Sequence, residues 1–153
     1  MDSCPDKAAT KKSCNNVRLL DITVAYDPEG NLAFLQHPGC CPFHPKRVFY
    51  IVDVPLTSKR GRHAHRTEEQ LMVCVSGSFS VDIFDGKQTR TYRLDNPYTA
   101  LYIPPMVWRT MYDFSPGAVC LVLSSTNYDE TDYIRCYDDF LSLCDSNKSP
   151  KIK

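Results

Sequence analysis

Residues 70–94 read QLMVCVSGSFSVDIFDGKQTRTYRL, and this stretch decides the fold. Three runs rich in β-branched and aromatic residues are separated by SGS (76–78) and by Asp85-Gly86, both of which are turn sequences. In the middle run, FSVDIFD, apolar and polar residues alternate, as in a strand with one buried face. The stretch therefore predicts consecutive antiparallel strands, and Asp85-Gly86 is the strongest hairpin signal in it.

The same pattern covers the chain from Val17 to Ser125. The candidate strands are VRLLDITVAY, LAFLQ, RVFYIVDV, QLMVCVSG, FSVDIFD, QTRTYRL, TALYIP, VWRTMYDF and AVCLVLSS. The last run is apolar throughout and predicts a central strand, since a strand with neighbours on both faces has no polar side. Many short strands without intervening helices indicate an all-β jelly-roll barrel.

The end of the chain departs from this pattern. In DETDYIRCYDDFLSL, Tyr133, Ile134, Tyr137 and Phe140 recur at helical spacing, and they follow acidic residues that suit a helix N-terminus. We therefore expect one short C-terminal α-helix packed on the barrel. The polar, aperiodic segments 1–16 and 145–153 are expected to be disordered tails around a single domain at 17–144.

Composition and charge restrict the classes of function. Eighteen basic residues balance eighteen acidic ones, so no global field attracts nucleic acid or an anionic membrane. The polar N-terminal sequence MDSCPDKAATKKSC lacks a signal-peptide core, and no segment has the roughly 18 apolar residues of a membrane helix. We expect a cytoplasmic protein, and we interpret most of its eight cysteines as reduced structural thiols.

The segment RGRHAHRTEEQ (60–70) carries the strongest candidate site. On a strand, His63 and His65 point to the same face, because side chains alternate with period two. Two imidazoles then converge on one small volume, where they can bind a metal ion or move a proton. The alternative is a solvated strand end within a basic loop.

The arrangement G-x-H-x-H, followed by an acid-bearing stretch and Gly77, resembles the first motif of cupins, small β-barrels that often hold a metal. In that family the motif continues to a glutamate ligand, and a second motif supplies a third histidine. Here Gln70 and Arg109 stand at those two positions. Glutamine is a poor ligand for a transition metal and arginine stays protonated, so we expect no metal and no metal ligands.

The stretch from about Asp27 to Leu141 resembles the metal-independent cupin sugar isomerases known as nucleotide-sugar 3,4-ketoisomerases. The pieces that carry the resemblance are DPEGNLAF, KRVFYIVDVP, RGRHAHRTEEQLMVCVSGS, the hairpin at DGK, LYIPPMVW, FSPGAVCLVLSS and YDETDYIRCYDDFL. The resemblance implies conversion of a dTDP-4-keto-6-deoxyglucose-type substrate to its 3-keto isomer, without a cofactor, for deoxyaminosugar biosynthesis.

The resemblance also implies roles for individual residues. It makes His63 and His65 the catalytic pair, acting as general acid and base through an enediol. Arginine suits a diphosphate, and Arg47 and Arg60 are the first candidates for that contact. The full set of expected substrate-binding residues is Arg47, Tyr50, Arg60, Gln70, Tyr102, Trp108 and Arg109.

Two residues depart from the pattern of the relatives. The relatives commonly have a histidine where this chain has Arg109 and a tyrosine where it has Phe49. Two further functions therefore stay open beside the ketoisomerase: a catalytically silent module that binds a nucleotide sugar, and another cupin enzyme such as an epimerase or a metal-dependent oxygenase. The resemblance also implies a homodimer that exchanges N-terminal strands from the segment 17–36. The residues leave the nucleotide open between thymidine and uridine diphosphate.

Overall fold

The computed structural model describes residues 16–146. This part of the chain contains twelve strands, one 3₁₀ turn at Glu130–Asp132 and one α-helix, α1, at Tyr137–Ser146. The strands are β1 (Arg18–Asp21), β2 (Thr23–Ala25), β3 (Leu32–Phe34), β4 (Arg47–Ile51), β5 (Arg60–His65), β6 (Gln70–Ser76), β7 (Phe79–Phe84), β8 (Thr89–Leu94), β9 (Thr99–Ile103), β10 (Trp108–Tyr112), β11 (Val119–Ser124) and β12 (Tyr133–Ile134).

Two five-stranded antiparallel sheets form the body of the molecule. The first has the order β1-β9-β6-β11-β4, the second has the order β12-β5-β10-β7-β8, and β2 and β3 form a separate hairpin. Strand β11 lies between β6 and β4, as its uninterrupted apolar sequence predicts. The expected all-β jelly roll with a short C-terminal helix is confirmed.

The hairpin between β7 and β8 forms where Asp85-Gly86 predicts it. The Asp85 side chain accepts hydrogen bonds from the backbone N–H groups of Lys87 and Gln88, and Gly86 has a φ of 88°. Aspartate at the start of such a turn satisfies backbone donors, and glycine takes positive φ without steric cost. The local sequence therefore fixes the register of this edge of the second sheet.

The main core lies between the two sheets. Phe79, Val81 and Ile83 on β7 are almost fully buried there, which confirms the alternation read from FSVDIFD. Burial of each such side chain contributes about 1.5–3 kcal/mol. A second apolar layer covers the outer face of the first sheet, where Cys41 and Phe43 pack on Leu71 and Val73. Helix α1 covers the outer face of the second sheet through Phe140.

The prediction of a helix that starts within DETDYIRCYDDFLSL was wrong about its first half. Asp132 ends a 3₁₀ turn, and Tyr133 and Ile134 pair with β5 as the edge strand β12, so the helix begins only at Tyr137. The Asp132 carbonyl accepts a hydrogen bond from the Arg66 N–H. Tertiary pairing with an open sheet edge thus outweighs the helical spacing of the apolar residues.

The expected tails at 1–16 and 145–153 lie almost entirely outside the residues that the structure describes. Helix α1 continues through Ser146, two residues past the expected boundary at 144. The remaining residues of the two expected tails, 1–15 and 147–153, lie outside the described range. Between residues 16 and 146, no helix is long and apolar enough to cross a membrane.

Candidate active site

Strand register brings the candidate residues of the second sheet together. Arg109 on β10 lies opposite His63 on β5, and Tyr133 on β12 lies opposite His65. Directly paired residues of antiparallel strands project to the same face of a sheet. These four side chains therefore share the inner face of the second sheet, at one end of the barrel.

A β-bulge in β5 sets this register. Thr110 pairs with Gly61 while Arg109 pairs with His63, which leaves Arg62 as the extra residue. Gly61 and Arg62 both have positive φ, at 79° and 56°. A Cβ atom on Gly61 would lie 2.9 Å from the Arg109 carbonyl oxygen, so the close approach of the two strands requires glycine. Bulges of this kind often re-aim side chains next to active sites.

The two histidines form a contact pair with Tyr133. Their ring centroids are 4.9 Å apart in an edge-to-face arrangement, and the Tyr133 ring lies 5.0 Å from His63 and 4.3 Å from His65. His65 is fully buried, whereas His63 is only partly buried. His63 is therefore the more accessible of the two imidazoles.

A buried polar chain connects the two sheets. Arg109, which is 1% exposed, donates from Nη1 to the Gln70 side-chain oxygen at 2.6 Å and from Nη2 to the Val107 carbonyl. The Gln70 amide in turn donates to Glu68 at 2.6 Å. Glu68 also accepts two hydrogen bonds from Nη2 of Arg47, one at each carboxylate oxygen, at 2.9 and 3.1 Å. Glu68 thus contacts Arg47 directly and Arg109 through Gln70.

A second carboxylate holds His65. Nδ1 of His65 lies 3.2 Å from Oδ2 of Asp132 and 3.5 Å from the Glu68 carboxylate. Asp132 also accepts hydrogen bonds from Thr67 and from the Glu68 backbone N–H. Nε2 of His65 is buried without a hydrogen-bond partner among the described residues.

The electrostatic environment keeps both imidazoles neutral at neutral pH. Burial, followed by the charge of Arg109, lowers the pKa of His63 to about 4 and that of His65 to about 2. Burial also lowers the pKa of Arg109, to about 10, while Glu68 opposes that change. At neutral pH the site therefore presents unprotonated histidines beside a protonated arginine.

Three of these groups have a spacing that a metal ion could use. Nδ1 of His65 and carboxylate oxygens of Glu68 and Asp132 lie within 4.8 Å of one another. The carboxylates are already engaged by donors from Arg47, Gln70 and Thr67, and the charge of Arg109 interacts with both of them. A further cation would compete with these fixed positive charges, so the donor set fits a hydrogen-bond network better than a metal site.

The structure brings five of the sequence-predicted residues into this cluster. They are Arg47, His63, His65, Gln70 and Arg109. Arg60 lies at the far end of β5, opposite Met111, and is exposed. Its distance along the strand separates it from the cluster.

The three predicted aromatic contacts lie on outer faces of the sheets. Tyr50 is 68% exposed on β4, on the face opposite to Arg47. Tyr102 packs in the outer layer of the first sheet and donates its hydroxyl to Glu69. Trp108 packs against Tyr137 and Phe140 of α1, with ring centroids 5.1 and 5.6 Å away. The structure does not bring these rings together with the histidines.

The sequence interpretation missed Glu68, Asp132 and Tyr133. Glu68 lies within RGRHAHRTEEQ, so its position three residues after His65 was a usable signal. Asp132 and Tyr133 were assigned to the start of a helix, and the contact of Asp132 with His65 spans 67 residues of sequence. Only the pairing of β12 with β5 places them at the site.

A β-barrel whose inner face presents paired histidines to a buried arginine is a cupin-type scaffold equipped for proton transfer. The family model described as "FdtA: WxcM-like, C-terminal" matches residues 15–145, and the chain belongs to this family. A curated TDP-4-oxo-6-deoxy-alpha-D-glucose-3,4-oxoisomerase from Aneurinibacillus thermoaerophilus is 42% identical over 123 residues, which cover 80% of this chain and 88% of that protein.

Solved structures give the same result. A histidine-to-asparagine variant of the 3,4-ketoisomerase QdtA from Thermoanaerobacterium thermosaccharolyticum, in complex with TDP-4-keto-6-deoxyglucose, matches with a TM-score of 0.84 and 37% identity over 86% of this chain and 96% of that one. The TDP-quinovose 3,4-ketoisomerase WlaRB from Campylobacter jejuni matches with a TM-score of 0.81 and 41% identity over 84% and 98% of the two chains. These comparisons confirm the cupin-type fold and the isomerase class.

Proposed function

We propose that the protein is a nucleotide-sugar 3,4-ketoisomerase that converts a TDP-4-keto-6-deoxyglucose-type substrate to its 3-keto isomer, in a route to deoxyaminosugars. The observation that carries the proposal is the accessible His63 imidazole facing the buried Arg109 in a chain of this family. Residues 17–144, with the end of α1, form the single catalytic domain of this proposal. Its relatives are named for this reaction on TDP sugars.

The reaction needs a base at C3. The C4 ketone acidifies the C3 proton, and removal of that proton gives an enediolate. The proton of the C3 hydroxyl then moves to O4, and protonation of C4 leaves the ketone at C3. His63 is partly accessible and neutral at neutral pH, because burial lowers its pKa to about 4. It is the base in our proposal. A positioned acid–base group of this kind typically contributes about 10²- to 10⁴-fold.

In our proposal Arg109 stabilises the enediolate oxygen. A base with a pKa near 4 is weak, so the negative charge on the enediolate oxygen must be stabilised strongly. Arg109 remains protonated at neutral pH because its pKa is lowered only to about 10, and its guanidinium is fixed by Gln70 and Val107. Fixed donors in a buried site stabilise developing charge without reorganisation.

The mechanism needs neither a metal nor a redox cofactor. The isomerisation moves protons within one substrate, so no external electron acceptor takes part. Arg109 and Gln70 occupy the positions at which metal-binding cupins have ligands, and they supply a positive charge instead. His65 is proposed as the second acid–base group, which acts through His63 because it is fully buried.

We propose that Arg47 contacts the diphosphate. Its side chain is 19% exposed and is held by Glu68, and its guanidinium lies over the rings of Phe49 and Tyr128 at 5.2 and 5.6 Å. A fixed guanidinium matches phosphate oxygens with two parallel donors. Arg60, which is exposed at the start of β5, is a second candidate for the same charge.

We also propose a homodimer. In the single chain, β1 adds to β9 at the edge of the first sheet, and a second copy could supply this strand in the same register. Exposed apolar side chains on β1, β3 and β4 support the proposal, namely Leu19, Leu32 and Val48. Light scattering during gel filtration would give the mass, and Val48→Lys should shift it towards the monomer.

A cytoplasmic location completes the proposal. Cys74 and Cys120 lie opposite each other on β6 and β11 in the core, and both carry thiols. Two cysteines that face each other on neighbouring strands and remain thiols are typical of a reducing compartment. Cell fractionation with an antibody to the protein tests the location.

Incubation with TDP-4-keto-6-deoxyglucose in D₂O tests the activity. NMR should show deuterium at C3 of the remaining substrate and at C4 of a new 3-keto product. A parallel incubation with the uridine-diphosphate sugar decides between the two nucleotides. An unchanged substrate after prolonged incubation with wild-type protein would refute the ketoisomerase.

A further inference from the structure

Asp132 accepts hydrogen bonds at both carboxylate oxygens. Oδ1 accepts from the Thr67 backbone N–H at 2.8 Å and from the Thr67 hydroxyl at 2.7 Å. Oδ2 accepts from the Glu68 backbone N–H at 3.2 Å and lies at the same distance from Nδ1 of His65. Backbone amides can only donate, so each oxygen already faces a fixed donor. An ionised carboxylate can accept hydrogen bonds from all of these donors, since it accepts at both oxygens.

These contacts define the tautomer of His65. Because Asp132 accepts at Oδ2, Nδ1 of His65 carries the hydrogen. His65 is fully buried, and burial together with the charge of Arg109 keeps its pKa far below the usual value, so the ring is neutral. In a neutral imidazole with hydrogen on Nδ1, Nε2 is an acceptor. Nε2 points to the side of the ring away from Asp132, where it has no partner among the described residues.

We propose that Asp132 is a positioning residue of the reaction: it holds His65 as the tautomer that accepts at Nε2, so that His65 can relay the proton that His63 removes from C3. This inference rests on the proposed function. The His63 ring lies in edge contact with His65, with centroids 4.9 Å apart. Because Nε2 of His65 has no hydrogen-bond partner among the described residues, the relay requires a ring nitrogen of His63 to turn towards it.

The proton balance of the relay is closed. The C3–H bond breaks and an N–H bond forms on His63. In the relay an N–H bond of His63 breaks, a bond forms between that hydrogen and Nε2 of His65, and the positive charge moves to the ring beside Asp132 and Glu68. The reverse transfer returns a proton to His63 for delivery to C4, and exchange of the imidazolium hydrogens with D₂O places deuterium at C3 and C4. The proton of the C3 hydroxyl moves to O4, which leaves the ketone at C3. The carboxylates stabilise the transient imidazolium, in the same way that aspartate does in a Ser-His-Asp triad.

Asp132→Asn tests the positioning role. Thr67 offers two donors to one oxygen, so the asparagine carbonyl should stay there and its NH₂ group should face His65. That group donates, and His65 should change to the tautomer with hydrogen on Nε2. We expect kcat to fall about 10²- to 10⁴-fold, as for the wrong histidine tautomer in a triad, while KM changes less than about 3-fold.

Asp129→Asn is the matched control. Asp129 lies in the same segment, but it is exposed, and its side chain accepts from the backbone N–H and the hydroxyl of Thr131 rather than contacting His65. It should retain the kcat and the His65 tautomer of the wild-type protein. Long-range ¹H–¹⁵N correlations report the tautomer directly, and with four histidines in the chain the signals can be assigned from His→Asn variants.

The two readouts separate the inference from the proposed function. Hydrogen on Nε2 of His65 in the wild-type protein would overturn the inference, whether or not any variant folds. A changed tautomer in Asp132→Asn with unchanged kcat would overturn it as well. Wild-type protein that has hydrogen on Nδ1 but leaves the keto sugar unchanged would instead reject the proposed function, and with it the catalytic use of this tautomer.

Discussion

Arg109 and His63 face each other across β10 and β5, and the positive charge of Arg109 helps to keep His63 unprotonated. Burial is the larger cause of the low His63 pKa, and Arg109 is the next. The same guanidinium that is proposed to stabilise the enediolate therefore also sets the protonation state of the base. The two roles can be separated by experiment.

Arg109→Met should raise the pKa of His63 from about 4 towards the ordinary value of about 6.5, because a neighbouring positive charge is removed. It should also lower kcat by about 10²- to 10³-fold, as expected for the loss of an oxyanion donor. A histidine NMR titration and a steady-state assay measure the two effects. Arg135→Met is the control, because Arg135 is exposed, paired with Glu130 and a smaller cause of the His63 shift. An unchanged His63 pKa in Arg109→Met would contradict the electrostatic coupling.

His63→Asn should abolish both deuterium exchange at C3 and product formation, with a loss of at least about 10²-fold. Asparagine keeps a polar side chain of similar reach but cannot take up the proton. His44→Asn serves as the control, since His44 packs against His37, with ring centroids 3.9 Å apart, in the loop on the outer face of the first sheet. Full activity of the His63 variant would exclude this residue as the base.

The free energy of unfolding should decrease as the pH falls from about 6.5 to about 4. In this window an unfolded His63 binds a proton while the folded one does not, so stability increases with pH by about 1.4 kcal/mol per unit for this residue. Urea unfolding at pH 7.5, 6.0 and 5.0 measures the slope. The slope should be smaller in His63→Asn, and equal slopes in the two proteins would show that His63 is not protonated differently on unfolding.

Glu68→Gln should destabilise the protein by about 3–5 kcal/mol, because it removes the buried carboxylate that accepts from Arg47 and Gln70 and that opposes the buried charge of Arg109. Glu130→Gln breaks the ion pair with Arg135, in which both side chains are 55% exposed, and it should change the unfolding midpoint very little. Chemical denaturation of both variants gives the comparison. Similar effects of the two substitutions would mean that the buried chain contributes no more than a surface pair.

Gly77→Ala and Gly117→Ala form a second matched pair. The two glycines have φ values of 70° and 71°, but a Cβ on Gly77 would lie 2.5 Å from the Ser115 hydroxyl, whereas a Cβ on Gly117 would have nothing within 4 Å. Both variants bear the cost of positive φ, about 1–2 kcal/mol. Gly77→Ala adds overpacking of about 1–3 kcal/mol, so its thermal midpoint should be lower than that of Gly117→Ala.

The strand pattern allowed most of the fold to be predicted from the sequence. Alternation in FSVDIFD and the Asp85-Gly86 turn identify β7, β8 and their register, because both depend on neighbouring residues only. The end of the chain could not be predicted in the same way. Helical spacing from Tyr133 onwards is real, yet an unpaired edge of β5 accepts Tyr133 and Ile134 as a strand.

The site was predicted in part for the same reason. Period-two alternation puts His63 and His65 on one face, and that depends on local geometry alone. The same alternation shows that Trp108 and Arg109 could not both have been substrate-binding residues inside the barrel, since consecutive residues of a strand face opposite sides of the sheet. The bulge at Arg62 was not predictable, because a positive φ is uncommon for a residue with a Cβ.

The contact between Asp132 and His65 also has a consequence for the synthesis of the protein. His65 leaves the ribosome well before its carboxylate partner, which follows 67 residues later. A nascent chain that stops before Asp132 already contains every strand from β1 to β11, both histidines and both arginines of the site. It lacks the acid that is proposed to fix the His65 tautomer and the edge strand that follows. Synthesis past Asp132 is therefore needed to complete the proposed proton path, and translation products truncated before Asp132 should have a kcat no higher than that of Asp132→Asn even where their barrel has formed.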